Sequence, residues 1–362
     1  MTPAIGLDAR KARDFGIGTY TRELVRAIAK TESSRAYAFT LFIRPGDEEL
    51  FGGLPDHFRA VVEPSAGYSF SELTGFGRRI RRRPLDLFHA MHYVLPLAIG
   101  TRAVVTIHDL IHLAYPSALP PLGYAYARVM IARALARSRA VIAVSEATRD
   151  ALAALSPGRA DRIAVVPNGV GRQFRPDVPG TDLSRVTTKL ALPAEYALYL
   201  GGAKPHKNLP RVLAAFAASD SGSLGLVVAG AMPKGFDGHL PPRARAIGVV
   251  EDTDLPALYR GAAFLVYPTL AEGFGLPVLE AQASGIPVLT SDIPVFRELT
   301  ASSALLVDPR DTGGIARAIG TLSRDAALRQ RLAAAGLARA ADFSWDTAAD
   351  RTLAIYRKAL AE

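Results

Sequence analysis

The segment spanning residues 267–286, YPTLAEGFGLPVLEAQASGI, constrains the fold more than any other stretch of the chain. The apolar run 264–267 reads as a short buried strand, followed by a turn, a glycine loop and a helix. Pro277 stands where a first helical turn accepts proline, because its missing N–H would have no partner there. Gly273 and Gly275 let the backbone approach a ligand, and the free N–H groups of a helix start favour an anion. Glu272 and Glu280 bracket the loop, with Glu280 about one turn into the helix. A phosphate on the helix start, beside carboxylates able to grip hydroxyls, points to a sugar nucleotide. The competing reading is two solvated glutamates, one favourably placed near the helix dipole.

The same order of strand, loop and helix opens the chain. Residues 4–7 read as a strand, Gly16-Ile17-Gly18 as a loop, and Tyr20, Leu24 and Ile28 as the inner face of a helix over 19–29 capped by Thr19. This is the start of a doubly wound α/β unit. GIGTYT matches the first part of GxGxxG but has Thr21 at the third glycine. The loop therefore suits a phosphate contact, plain turn geometry, or a dinucleotide cofactor of an oxidoreductase. An acidic residue after the second strand, which a dinucleotide site needs, is not evident: Ile43 is followed by Arg44-Pro45. Further strands are expected at 38–43, 85–90, 103–107, 140–144 and 163–166, with Ser145 capping the helix that begins EATRDAL. His108 follows the 103–107 strand, where the crevice of an open sheet lies, as a ligand contact or a structural histidine. His89, His92 and His112 crowd the same region without carboxylates of fixed geometry, so no metal is expected.

Residues 172–185 read as a linker, after which a second α/β unit begins. Its strands are expected at 197–200, 224–228, 246–250, 264–267 and 288–290. Gly201-Gly202 and Lys204-Pro205-His206-Lys207-Asn208 follow the first of them. Lys207, just before a helix, can neutralise a diphosphate together with the helix start after Gly275; otherwise it is a surface lysine near a cap. Asp252-Thr253-Asp254 matches a metal-binding string of one class of sugar transferases, but its place directly before a helix reads as capping. Trp345, the only tryptophan, precedes a final helix and reads as its anchor.

The net charge of +9 on 362 residues is unevenly placed. Residues 1–175 carry 24 Lys and Arg against 15 Asp and Glu, so the whole excess lies in the first half. Such a half attracts phospholipid, nucleic acid or a phosphorylated substrate. Within it, Tyr68, Phe70, Leu73, Phe76 and Ile80 are set beside Arg78, Arg79, Arg81, Arg82 and Arg83. That stretch is either an interfacial membrane anchor, which the charge bias favours, or a solvated loop covering its own domain. No apolar run approaches a membrane span, the N-terminus lacks a signal peptide's apolar core, and the absence of cysteine excludes disulfides. A cytoplasmic enzyme, peripheral at the inner face of the membrane if the basic half binds lipid, is expected.

Taken together, the motifs resemble those of the retaining glycosyltransferases of the GT-B fold, family GT4, and more narrowly of its mannosyltransferases. The resemblance rests on GIGTYTRELVRAI, VVTIHDL, VSEATRDAL, VVPNGV, YLGGAKPHKNL, the long run from VVEDTDLPALYRGAAF to EGFGLPVLEAQASGIPVLTSD, and FSWDTAADRTLAIY. It implies two Rossmann-like, doubly wound parallel-sheet domains facing a central cleft, over residues 1–172 and 173–344, with a last helix in 345–362 crossing back. It further implies that Glu280 holds the donor's ribose, and that Glu272 with the backbone of Gly273, Phe274 and Gly275 holds the transferred sugar. Leu276 and Pro277 would border the diphosphate, Lys207 would supply its cation, and Val249 or Val250 would meet the base. His108 would contact the sugar and Gly18 the diphosphate. Many members carry an arginine where this chain has Gly202, and another where it has His206; Lys204 or His206 would have to substitute. The implied reaction moves a hexose, mannose from GDP-mannose in the first instance, to a hydroxyl of a glycan or polyprenyl-diphosphate-linked acceptor. Neither a cofactor nor a nucleic-acid partner is implied. A non-catalytic sugar-nucleotide-binding protein is the alternative, against which the intact Glu272, Glu280, Lys207 and His108 speak.

Overall fold

A computed structural model of the chain describes residues 2–69, 71–115, 120–177, 183–202, 204–232 and 239–361. The chain divides into two compact units, Met1–Gly169 with Ser344–Glu362, and Val170–Phe343. Among the described residues, the first unit is built on seven strands: β1 (Ala4–Asp8), β2 (Ala38–Ile43), β3 (Phe58–Val62), β4 (Leu87–Ala90), β5 (Arg102–Ile107), β6 (Ala140–Ala143) and β7 (Ile163–Val165). All pair in parallel, in the order β3-β2-β1-β4-β5-β6-β7. The order reverses between β1 and β4, which makes the C-terminal ends of those two strands the place where a crevice opens. The strands are short apolar runs because helices cover both faces; β4 is buried along its whole length.

Among its described residues the second unit carries six parallel strands: β8 (Tyr196–Leu200), β9 (Gly225–Ala229), β10 (Ala244–Gly248), β11 (Phe264–Tyr267), β12 (Val288–Ser291) and β13 (Leu305–Val307). Their order is β10-β9-β8-β11-β12-β13, so the reversal falls between β8 and β11. Phe216, Val228, Phe264, Val266 and Ile319 belong to the core beneath that sheet. The loops after β8, β9 and β10 meet at the C-terminal edge: Gly201 N–H donates to the Ala229 carbonyl and Gly230 N–H to the Gly248 carbonyl. A Cβ on Gly230 would lie 2.2 Å from the Gly201 carbonyl oxygen, so this close approach requires glycine.

Four expectations change. The first helix spans Phe15–Lys30, so Thr19 is no cap and the GIG loop is the helix's first turn. Gly18 is needed there because a Cβ would sit 2.5 Å from the Ala12 carbonyl oxygen. Residues 63–83 fold onto their own unit. Phe76 and Ile80 are wholly buried and Leu73 packs against the same core. Arg79 pairs with Glu63. Phe76, Ile80 and Leu73 thus face inward, whereas Tyr68, Arg78, Arg79, Arg81 and Arg82 are exposed; Phe70 lies outside the described residues. The stretch 172–185 is also less of a linker than its composition suggests. Phe174 sets its ring edge-on to Tyr259 at 5.7 Å, and Arg185 lies in the helix Leu183–Leu190. Finally, Asp254 makes no side-chain cap to the helix Leu255–Gly261. Its buried carboxylate instead accepts from Arg185 and Lys189, each at 2.7 Å. Ser145, by contrast, does cap the helix Glu146–Leu155, accepting from Thr148 N–H at 3.1 Å.

The final helix, Trp345–Ala361, belongs to the first unit. Trp345 meets the Tyr20 ring edge-on at 6.0 Å. Deeper in, Tyr356 Oη and His89 Nδ1 are 2.6 Å apart, His89 Nε2 and Thr106 Oγ1 2.8 Å, and Thr106 Oγ1 and Tyr20 Oη 2.8 Å. This buried chain ties the last helix to β4, β5 and the first helix. Burial pushes His89 down to about 3, so it stays neutral and serves the fold. Among the described residues, no helix is long and apolar enough to cross a membrane.

Candidate active site

In the second unit the two loops flanking the sheet's reversal carry the charged groups. Lys207 follows β8 and Glu272 follows β11. Their approach is fixed by backbone and side-chain ties between the loops. Leu270 N–H donates to the His206 carbonyl at 2.7 Å. Asn208 Nδ2 donates to the carbonyls of Pro268 (2.8 Å) and Pro309 (2.7 Å). Asn208 adopts φ +63°, a left-handed conformation that asparagine tolerates, and this turns its amide across to the neighbouring loop. Tyr199, on β8, donates to the Lys207 carbonyl at 3.0 Å.

So held, Lys207 Nζ donates to Glu272 Oε1 at 2.5 Å and to Tyr267 Oη at 2.5 Å, while Tyr267 Oη donates to the same Oε1 at 2.8 Å. The cation, the phenol and the carboxylate form a closed ring of hydrogen bonds. Tyr267 is fully buried, and burial followed by the adjacent Glu272 charge raises its phenol well above the ordinary range. It is therefore a permanent donor. Lys207 and Glu272 sit near the surface of this pocketed ring, each under a fifth exposed.

Beyond Glu272 the loop turns into the helix Leu276–Ala283, with Pro277 in its first turn. Gly275 occupies the N-cap position at φ +99° and ψ +51°, and a Cβ there would stand 2.4 Å from Phe296 Cε1. Only glycine allows this turn. Phe274 is buried and meets Phe343 edge-on at 5.9 Å. Gly273 is buried beside it, while Leu276 and Pro277 are half-buried at the helix start. A helix of this kind presents unpaired N–H groups and a positive dipole end, both suited to phosphate oxygens.

Glu280, on the same helix, is buried and accepts from Tyr259 Oη at 2.8 Å. Burial pushes its carboxyl up to about 7; the Tyr259 hydroxyl opposes that rise and the Asp252 charge adds to it. A carboxyl poised between its two forms at neutral pH, with one oxygen held by a phenol, can accept from ligand hydroxyls when ionised. Val249 and Val250 follow β10, and Val249 is exposed. His206 is buried in the loop before Asn208, whereas Lys204 is exposed and Gly202 has open space where a side chain would go. The position that lacks the expected arginine is thus followed by an exposed lysine and a packed histidine.

In the first unit His108 follows β5. Its Nε2 lies 2.9 Å from the Met91 carbonyl oxygen, which can only accept, so Nε2 carries the proton and Nδ1 the lone pair. Burial lowers its pKa and keeps the ring neutral, against the opposing pull of that hydrogen bond. Tyr20 packs edge-on to the ring at 4.7 Å. Asp109 does not orient it through its carboxylate, which instead accepts from Ile111 N–H at 2.9 Å.

The residues that spacing could not supply are Tyr267, Tyr259, Tyr199 and Asn208. Three are tyrosines that read as strand or helix core; only the phenol ends of Tyr267 and Tyr259 reach the carboxylates, and that of Tyr199 the Lys207 carbonyl.

These two sheets with their reversals, and a cation, carboxylate and glycine-started helix at one of them, define the class of sugar-transferring enzymes with the GT-B fold. The family model described as glycosyl transferases group 1 matches residues 182–339, and that described as Glycosyltransferase Family 4 matches residues 16–174. O-antigen chain mannosyltransferase B of Escherichia coli is 29% identical over 94% of this chain and 96% of that protein. O-antigen chain mannosyltransferase RfbU of Salmonella typhimurium is 30% identical over 69% of this chain and 68% of that protein. Among solved structures, Anabaena HepE in complex with UDP and glucose superposes with a TM-score of 0.78 at 17% identity, covering 98% of this chain and 100% of that one. The chain belongs to the family 4, group 1 glycosyltransferases. It is a transferase, and the dinucleotide oxidoreductase reading of its first glycine loop is set aside.

Proposed function

We propose that this enzyme transfers a mannosyl group from GDP-mannose to a hydroxyl of a glycan or polyprenyl-diphosphate-linked acceptor in O-antigen-type assembly, with retention of anomeric configuration. The observation that carries the site assignment is the Lys207–Tyr267–Glu272 ring beside the Gly275 helix start. The sugar is suggested by the two mannosyltransferase relatives, one of them alike over nearly its whole length.

In this reading the donor's diphosphate lies at the helix start of Leu276–Ala283 and draws Lys207 from Glu272. Negative charge grows on the leaving diphosphate oxygen as the glycosidic bond breaks, and a cation and oriented N–H groups already in place stabilise it. Glu272 keeps its bond to the Tyr267 phenol and turns its freed lone pairs to hydroxyls of the sugar. Glu280, held by Tyr259, takes the ribose hydroxyls. The acceptor hydroxyl attacks from the face the diphosphate leaves, through an oxocarbenium-like state, and its proton passes to the departing phosphate oxygen. The neutral His108, its Nδ1 an acceptor, is assigned to a hydroxyl of the sugar. No metal is assigned a part. A thermal-shift screen of nucleoside diphosphates and their sugars tests the donor assignment. GDP and GDP-mannose at a hundredfold excess over Kd should stabilise by about 2.7 kcal/mol, and stabilisation by uridine nucleotides alone would replace the guanine donor.

A further inference from the structure

At the N-terminal end of the seven-stranded sheet lies a cavity of about 620 Å³. Four arginines line it: Arg102, the first residue of β5; Arg137, the last residue of the helix Pro121–Arg137; Arg139, just before β6; and Arg162, just before β7. Among the described residues none of the four is ion-paired. The lining's one carboxylate, Asp86, uses Oδ2 to accept from Ala4 N–H at 2.8 Å. Arg102 adds a second feature, since its Nε is buried with no hydrogen-bond partner. Leaving such a donor unmet costs about 1–3 kcal/mol, and more for a charged group. Four guanidinium groups around one concavity also repel one another unless an anion lies between them. His108 stands past the opposite end of β5, about 20 Å along the strand from Arg102, so this cavity lies at the other end of the sheet from His108.

We infer that this cavity binds a phosphoryl group, held by Arg102 from within and by Arg137, Arg139 and Arg162 at the rim. The planar guanidinium fork matches phosphate oxygens in pairs, and a phosphoryl group offers enough charge and enough oxygens to engage several forks at once. The uneven charge of the chain then has a local purpose. Its source is either a free phosphorylated solute or the headgroup of an anionic lipid.

The test uses the full chain carrying Lys207→Ala, which removes the cation of the candidate active site as a competing anion contact. One arm titrates inorganic pyrophosphate calorimetrically. The other floats the protein with vesicles of phosphatidylcholine, with and without phosphatidylglycerol. Both arms are repeated after adding Arg139→Glu and Arg162→Glu, which are exposed and leave the core intact, and separately Arg102→Gln. Loss of pyrophosphate affinity by about tenfold or more in both variants identifies a free phosphate ligand. Loss of flotation on phosphatidylglycerol vesicles, with no pyrophosphate binding to lose, identifies a lipid headgroup. Binding unchanged by either set of substitutions, or no binding in either arm, overturns the inference.

Discussion

Lys207 Nζ and Glu272 Oε1 are 2.5 Å apart, and the Tyr267 phenol touches both. The two charges that the proposed function assigns to different parts of the donor are thus paired with each other. The phenol explains how they can separate. In the proposed reaction Lys207 moves to the diphosphate, and Glu272 then keeps a neutral donor and is not left as a bare, largely buried carboxylate.

Tyr267→Phe should therefore lower kcat/KM for the sugar nucleotide by about tenfold or more, since hydrogen bonds to charged groups contribute roughly 1.5–3 kcal/mol. Steady-state kinetics with varied donor check it. A variant with wild-type kcat/KM would leave the phenol as ordinary core.

Glu280 gives a pH dependence. Burial pushes its carboxyl up to about 7, and in the proposed reading it is the ionised form that accepts the ribose hydroxyls. Donor affinity should then fall as pH drops below 7 and level off above it. Glu280→Gln should bind the donor weakly with no such dependence. The folding linkage has the opposite slope. A carboxyl raised in the folded state costs nothing below its unfolded value of 4.5, and its stability contribution is lost as pH rises through about 7. Glu280→Gln should accordingly gain stability relative to wild type between pH 5 and pH 8, measurable by urea unfolding at both values.

How far these features could be read from the chain alone follows from the range of the forces involved. Strand, glycine and proline signals act over a few residues, so the glycine loop before the Pro277 helix and the strand–loop–helix order were legible, though not the left-handed backbone of Gly275. Glu280 one turn into its helix was legible for the same reason. Pairing across the sheet was not. Lys207 and Glu272 are 65 residues apart, and their contact depends on Asn208 reaching the loop after β11. Nor could composition tell which way the aromatics of 63–83 point. Phe76 and Ile80 turn to the core because the π-helical turn Ser71–Phe76 and the short helix after it rotate them there.

Gly275→Ala should destabilise the protein by about 2–4 kcal/mol. A left-handed backbone costs roughly 1–2 kcal/mol outside glycine, and the added methyl would overlap Phe296. Chemical denaturation checks the stability, and donor binding should be lost with the turn.

Tyr356→Phe removes the partner of His89 Nδ1 in a sealed interior. An unmet buried group costs about 1–3 kcal/mol, read as a lowered unfolding free energy. Because His89 is held neutral with its pKa pushed down to about 3, the wild-type fold should lose stability as pH falls below about 6.5. Replacing His89 by Gln should flatten that slope.

Turnover should persist in EDTA, because Lys207 and the helix start are assigned the leaving group's charge. Loss of activity on chelation, restored by a divalent cation, would require a metal in that role.

The most direct measurement follows the enzyme by NMR as it acts on GDP-mannose and an acceptor bearing free hydroxyls, reading the anomeric configuration of the new glycosidic bond. The account predicts a mannoside with the donor's own configuration, formed by wild type and lost in Glu272→Gln. An inverted product, or unchanged formation by the Glu272→Gln variant, would contradict it.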